Sequence, residues 1–88
     1  MDAFVIQGAS RAEVVQYLGE GCHYFERGAG SGVVRLGSTP PASLFRWARP
    51  RKLMEQYPRA VHHTTFWTQT WAFFDNQDRI RAYFFDSQ

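Results

Sequence analysis

The chain is expected to fold as one small α+β domain. An antiparallel sheet with a C-terminal aromatic hairpin should pack against one short N-terminal helix and a kinked middle helix. Three observations lead there. Residues 64–85 are rich in threonines and aromatics and break once, at Asp75-Asn76-Gln77-Asp78, which is turn chemistry between two strands. Ser10 and Glu13 stand at the spacing of a helix-capping box. The chain has 88 residues, enough for a single core, so 1–88 is read as one domain.

Taken in order, Ala3 to Gln7 (AFVIQ) is a short β-rich run stopped by Gly8 and reads as a first strand. The Ser10 hydroxyl can accept from the Glu13 amide, and the Glu13 carboxylate can reach back to the Ser10 amide. Val14, Val15 and Leu18 follow at helical spacing, and Gly19 supplies a stop. Tyr24 and Phe25 belong either to a strand or to a cover over the core. Gly28, Gly30 and Gly32 make a turn, and Val33 to Leu36 reads as a brief strand. Thr39-Pro40-Pro41 reads as a loop feeding a helix start. Leu44 to Ala48 and Arg51 to Tyr57 read as helix, kinked or split at Pro50 and ended by Pro58.

Thr64 to Phe74 and Arg79 to Phe85 then form the hairpin. With Asn76 and Gln77 at its tip, Phe73 faces Ile80, Trp71 faces Ala82 and Gln69 faces Phe84. Those residues and Trp67 share one face, read as core. The other face carries Phe66, Thr68, Thr70, Ala72 and Phe74 with Arg79, Arg81, Tyr83 and Phe85. Aromatics beside arginine are the composition of a contact surface. Phe66, Phe74, Arg79, Arg81, Tyr83 and Phe85 are therefore the candidate protein-binding residues.

Composition narrows the function. Cys22 is the only cysteine, so no disulfide staples the fold, and a single thiol fits a reducing compartment. Aromatic residues make up 17% of the chain and supply core bulk in place of size. No targeting segment is visible, and the longest uncharged run is too short and too polar to span a bilayer. A cytoplasmic protein is expected, in its own cell or in a host, with no membrane partner. Between residues 46 and 63 five basic side chains stand against one acidic. Arg46, Arg49, Arg51, Lys52 and Arg59, interleaved with Trp47 and Tyr57, form a candidate patch for nucleic acid or for an acidic protein.

The remaining motifs carry no chemistry. Cys22-His23 are sequence neighbours that point apart and lack a third orienting group. His62-His63 on a strand face opposite sides and do not share one ion. Gly28-Ala29-Gly30-Ser31-Gly32 leads into a strand rather than a helix N-terminus, so it lacks the geometry of a phosphate loop. Asp75 and Asp78 are turn residues. No cofactor, metal or catalytic residue is expected.

Two pieces together resemble a known family. Gly8-Ala9-Ser10-Arg11-Ala12-Glu13-Val14, running on to Leu18-Gly19, and the hairpin from Trp71-Ala72-Phe73-Phe74-Asp75 through Arg79-Ile80 are similar to SmpA/OmlA (BamE-type) domains. The likeness extends to the related β-lactamase-inhibitor-like fold. There a capped helix precedes strands with an aromatic hairpin around an acidic turn. The likeness covers about a third of the chain. Cys22 follows Gly19-Glu20-Gly21, which is not a lipobox, and the basic middle segment has no counterpart. The resemblance implies a protein-binding sheet face without catalysis, and it does not imply an outer-membrane role. The combined expectation is a non-catalytic protein-binding module. An inhibitor or blocker of immunity or phage anti-defence (anti-CRISPR-like) type fits it, acting on a protein partner, acidic or nucleic-acid-handling, or on a second copy. Nucleic-acid binding through residues 46–59 is the alternative.

Overall fold

The computed structural model describes residues 1–27, 33–36 and 48–87. The first element differs from the strand expected of it. Asp2–Gln7 is a helix, α1. Met1, Phe4 and Val5 fall one turn apart and pack together on the core, a spacing that outweighs the β propensity of Phe, Val and Ile. Gly8 ends α1 at φ 64°, with its amide donating to Val5 and the Ala9 amide to Phe4. That is a Schellman cap, and only the left-handed region closes it, hence glycine. Helix α2, Arg11–Leu18, follows at once. Ser10 caps it, accepting from the Glu13 amide at 3.2 Å and donating its hydroxyl to the Glu13 carboxylate.

The sheet has five antiparallel strands: β1 Cys22–Arg27, β2 Val33–Leu36, β3 Arg59–Thr64, β4 Thr68–Phe74 and β5 Ile80–Ser87, in the order β2-β1-β3-β4-β5. Tyr24 and Phe25 thus lie on a strand, and so do residues 33–36. The long strand expected from Thr64 to Phe74 is two strands with a tight turn between them. Thr65 donates its amide to the Thr68 carbonyl, and Phe66 and Trp67 form the tip. Strand β3, Ala60-Val61-His62-His63 at its heart, is buried on both faces and so shows no alternation by which to recognise it.

The second hairpin closes on three residues, not two. The Asp75 amide donates to Arg79, and Asp78 takes φ 62°, the left-handed residue such loops need. Phe74 therefore faces Ile80. One extra residue, Arg81, then bulges out, and the pairs beyond are Phe73–Ala82 and Trp71–Phe84. The two slips cancel in parity, so Trp71, Phe73, Ala82 and Phe84 share one face as expected, while Ile80 moves to the other.

Both faces are covered, giving helix, sheet and helix layers. Helices α1 and α2 cover one face, where Val14, Val61, Ala72, Phe74 and Ile80 are fully buried. Helix α3, Ala48–Gln56, covers the other through Leu53 and Met54 over Phe25, Trp71 and Phe73. Pro50 is the third residue of α3, in the first turn, where a missing amide costs nothing. The expected kink at Pro50 therefore does not interrupt the described helix. The turn expected at 28–32, the loop expected at 39–41 and the helix expected over 44–47 fall outside the described residues. Phe74, expected on a partner-facing surface, is a core residue because α1 and α2 roof that half of the face.

A strap joins the two ends of the chain. Ile80 donates its amide to the Ala9 carbonyl and Arg11 to the Asp78 carbonyl. Ser10 thus bridges Arg79, and the α1–α2 connection lies along the start of β5.

Candidate functional site

The roof of α1 and α2 stops short of the β3–β4 turn. Beyond it lies an open groove of about 600 Å³, lined by Tyr17 and Leu18 of α2, His63 of β3, Thr70 of β4, and Tyr83 and Phe85 of β5. Met1 and Thr68 complete the wall, and no Asp, Glu, Lys or Arg contributes to it. Tyr17 is 61% exposed and Phe85 54%. His63 is buried and fixed, its Nε2 donating to the Glu20 carbonyl at 2.9 Å.

Beside the groove stands the β3–β4 turn, with Phe66 82% and Trp67 65% exposed. Their rings meet edge to face, centroids 4.6 Å apart. Most two-residue hairpin loops place glycine or asparagine at positive φ. Here neither tip residue has positive φ, and a threonine side chain holds the loop instead. Thr65 Oγ1 accepts from the Trp67 amide at 3.2 Å and the Thr68 amide at 3.0 Å, and it pairs with the Thr68 hydroxyl at 2.7 Å. The two most solvent-exposed aromatics of this end thus sit on a rigid support.

The structure divides the candidate protein-binding set. Phe66, Tyr83 and Phe85 gather at this aromatic end. Phe74 is buried, and Arg79 and Arg81 lie at the opposite end of the β4–β5 hairpin. Arg79 donates to the Gly8 carbonyl at 3.2 Å. Arg81 donates to the Asp75 carboxylate at 2.8 Å, which draws the Asp75 pKa below its ordinary value. Both arginines are exposed and make contacts within the chain. Trp67, expected in the core, belongs to the exposed tip. Tyr17 belongs to the groove, and nothing in the sequence marks it apart from any outward helix position. The signal for the tip was Thr65-Phe66-Trp67-Thr68 itself, two threonines bracketing two aromatics.

The basic set does not form one patch among the described residues. Arg46 lies outside them, and for Arg49 and Arg51 only the backbone is described. Lys52 is exposed on α3. Arg59 points to the opposite side of the sheet, by its pairing with Phe74, and is tied to Glu26 at 3.5 Å and Asp78 at 3.6 Å. Asp78 also holds Arg11 at 3.2 Å, and the Arg11 guanidinium lies 3.7 Å above the Tyr24 ring.

The other reactive residues are spent locally. Cys22 donates to the Gly19 carbonyl, and burial raises its pKa. His62 is buried against Trp71, ring centroids 4.2 Å apart, with Nε2 3.2 Å from Oε1 of Gln69. Among the described residues no three His, Cys, Asp or Glu side chains cluster as metal ligands, and no helix is long and apolar enough to cross a membrane. No known protein family, curated protein or solved structure matches the chain.

Proposed function

We propose that the chain is a non-catalytic protein-binding module of inhibitor or blocker type, of the kind used in immunity and phage anti-defence, and that it works by occluding a partner through its aromatic end. The observation that carries this reading is the exposed Phe66–Trp67 pair on a hydrogen-bonded turn. Keeping two large rings in water forgoes the gain of burying them, roughly 1.5–3 kcal/mol for a Phe-sized side chain. A turn has no internal need for either residue. Rigid aromatics of this sort anchor protein interfaces, because little side-chain freedom is lost when they dock. Occlusion asks only for shape, and the groove offers shape without reactive groups.

The test is a pull-down with nuclease-treated lysate, followed by affinity measurement for the captured protein. The Phe66→Ser/Trp67→Ser double variant removes the anchors while leaving the core intact. Its affinity should fall by about 100-fold or more, since interface anchors contribute at least about 2 kcal/mol each. Its thermal midpoint should stay within a few degrees of the parent. A captured protein bound equally well by parent and double variant would sink this assignment. Arg81→Glu is a poorer probe, because it breaks the contact with Asp75 before it reports on binding.

A further inference from the structure

The tip and the groove form a knob beside a hole, and they share a residue. Thr68 closes the turn that carries Phe66 and Trp67 and is also part of the groove wall. A foreign partner would need both a cleft for the two rings and a side chain to fill the groove. A second copy of this chain brings both. A two-fold axis passing close to Thr68 would set the knob of each copy into the groove of the other, as isologous interfaces require.

We infer that the aromatic end pairs with a second copy of the chain, Phe66 and Trp67 of each protomer entering the groove between Tyr17 and Phe85 of the other. The inference rests on the reading of this end as a protein contact surface and names its occupant. Area supports it. Phe66, Trp67, Tyr17 and Phe85 at their observed exposures present roughly 500 Å², against roughly 800 Å² per partner in a standard interface. The threonines and Leu18 around the groove supply further surface. Charge supports it too, because no Asp, Glu, Lys or Arg side chain lines the groove to oppose its own copy. The same lack of lysine and arginine disfavours a phosphate backbone in this groove. A foreign target would reach the end by opening the pair, so its apparent affinity should weaken as the protein is concentrated.

Sedimentation equilibrium of the full chain, from micromolar to millimolar concentration, tests the pairing. The parent should move from monomer to dimer. Phe66→Ser/Trp67→Ser, which lacks the knob, and Tyr17→Glu, which puts a charge in the hole, should each remain monomeric with unchanged far-UV circular dichroism. Mixed together, the two variants should form a heterodimer weaker than the parent dimer, because one knob still finds one intact groove. A parent that stays monomeric, variants that dimerise like the parent, or a mixture that forms no heterodimer would overturn the inference. The first of these outcomes leaves the proposed function standing if the knobless variant also loses its captured protein.

Discussion

His62 shows how one side chain couples the core to pH. Its Nε2 proton is directed at Gln69, and Nδ1 has no partner among the described residues. Protonation would place a second N–H in a dry site against Trp71. Burial accordingly holds the pKa below the ordinary histidine value, while the bond to Gln69 opposes the shift. The unfolded chain therefore binds a proton at this position more readily than the folded one. Stability is full above about pH 6.5, the ordinary histidine value, and declines as pH falls below it. Urea midpoints measured across that range should drop on acidification. His62→Phe, which keeps an aromatic ring beside Trp71, should remove this part of the slope. An undiminished slope would assign the effect to another group.

At the scale of elements, the β4–β5 hairpin is governed by its loop. Asp75 Oδ1 accepts from the Gln77 and Arg79 amides at 2.9 and 3.1 Å, and its other oxygen holds Arg81. Asp78 in the left-handed region makes the loop three residues long, and the bulge at Arg81 then restores the alternation. Deleting Arg81 should make Phe74–Ile80 and Phe73–Ala82 consecutive rungs of a regular ladder, so Ala82 and Phe84 stay on the face of Trp71 and Phe73. What is lost is the bulge and an exposed contact with Asp75, worth at most about 1 kcal/mol, so chemical denaturation should find the deletion variant close to the parent. An unfolded deletion variant would mean that the bend at the bulge is itself needed to seat β5 on the core.

These elements were unequally legible. The capped helix α2 and the aromatic face Trp71, Phe73, Ala82 and Phe84 could be read, because capping and period two are local grammar. Helix α1 was obscured by β-forming residues whose helical spacing runs for only one turn. Strand β3 was obscured because a central strand covered on both sides does not alternate. The exposed tip was missed as a turn because it lacks glycine, and its Thr65 hydroxyl does what a primed turn's backbone would do. The three-residue loop depends on a backbone angle at Asp78, which composition does not specify.

For the whole molecule, the consequence of the two-sided cover is that stability rests on both faces of one sheet. Phe74 lies where α1, α2 and the bulged strand meet, fully buried with Val14 and Ile80. Phe74→Ala should cost about 3–5 kcal/mol, about a third or more of the 5–10 kcal/mol expected of so small a domain. Calorimetry should find a single, much lower transition. Phe66→Ser and Trp67→Ser, equal in chemistry but exposed, should scarcely move it. That contrast between aromatics was not available from the sequence, because which rings α1 and α2 roof is decided by tertiary packing alone.

The strap between residues 9–11 and 78–80 bears on how the chain acquires its shape during synthesis. The α1–α2 connection finds its hydrogen-bond partners only at residues 78–80, and the helices' apolar floor is complete only when Ile80 joins Val61, Ala72 and Phe74. A growing chain that ends before Ile80 holds only part of the seat for its first two helices. Those helices must therefore wait during synthesis until β5 has emerged, and the strap closes in one late step.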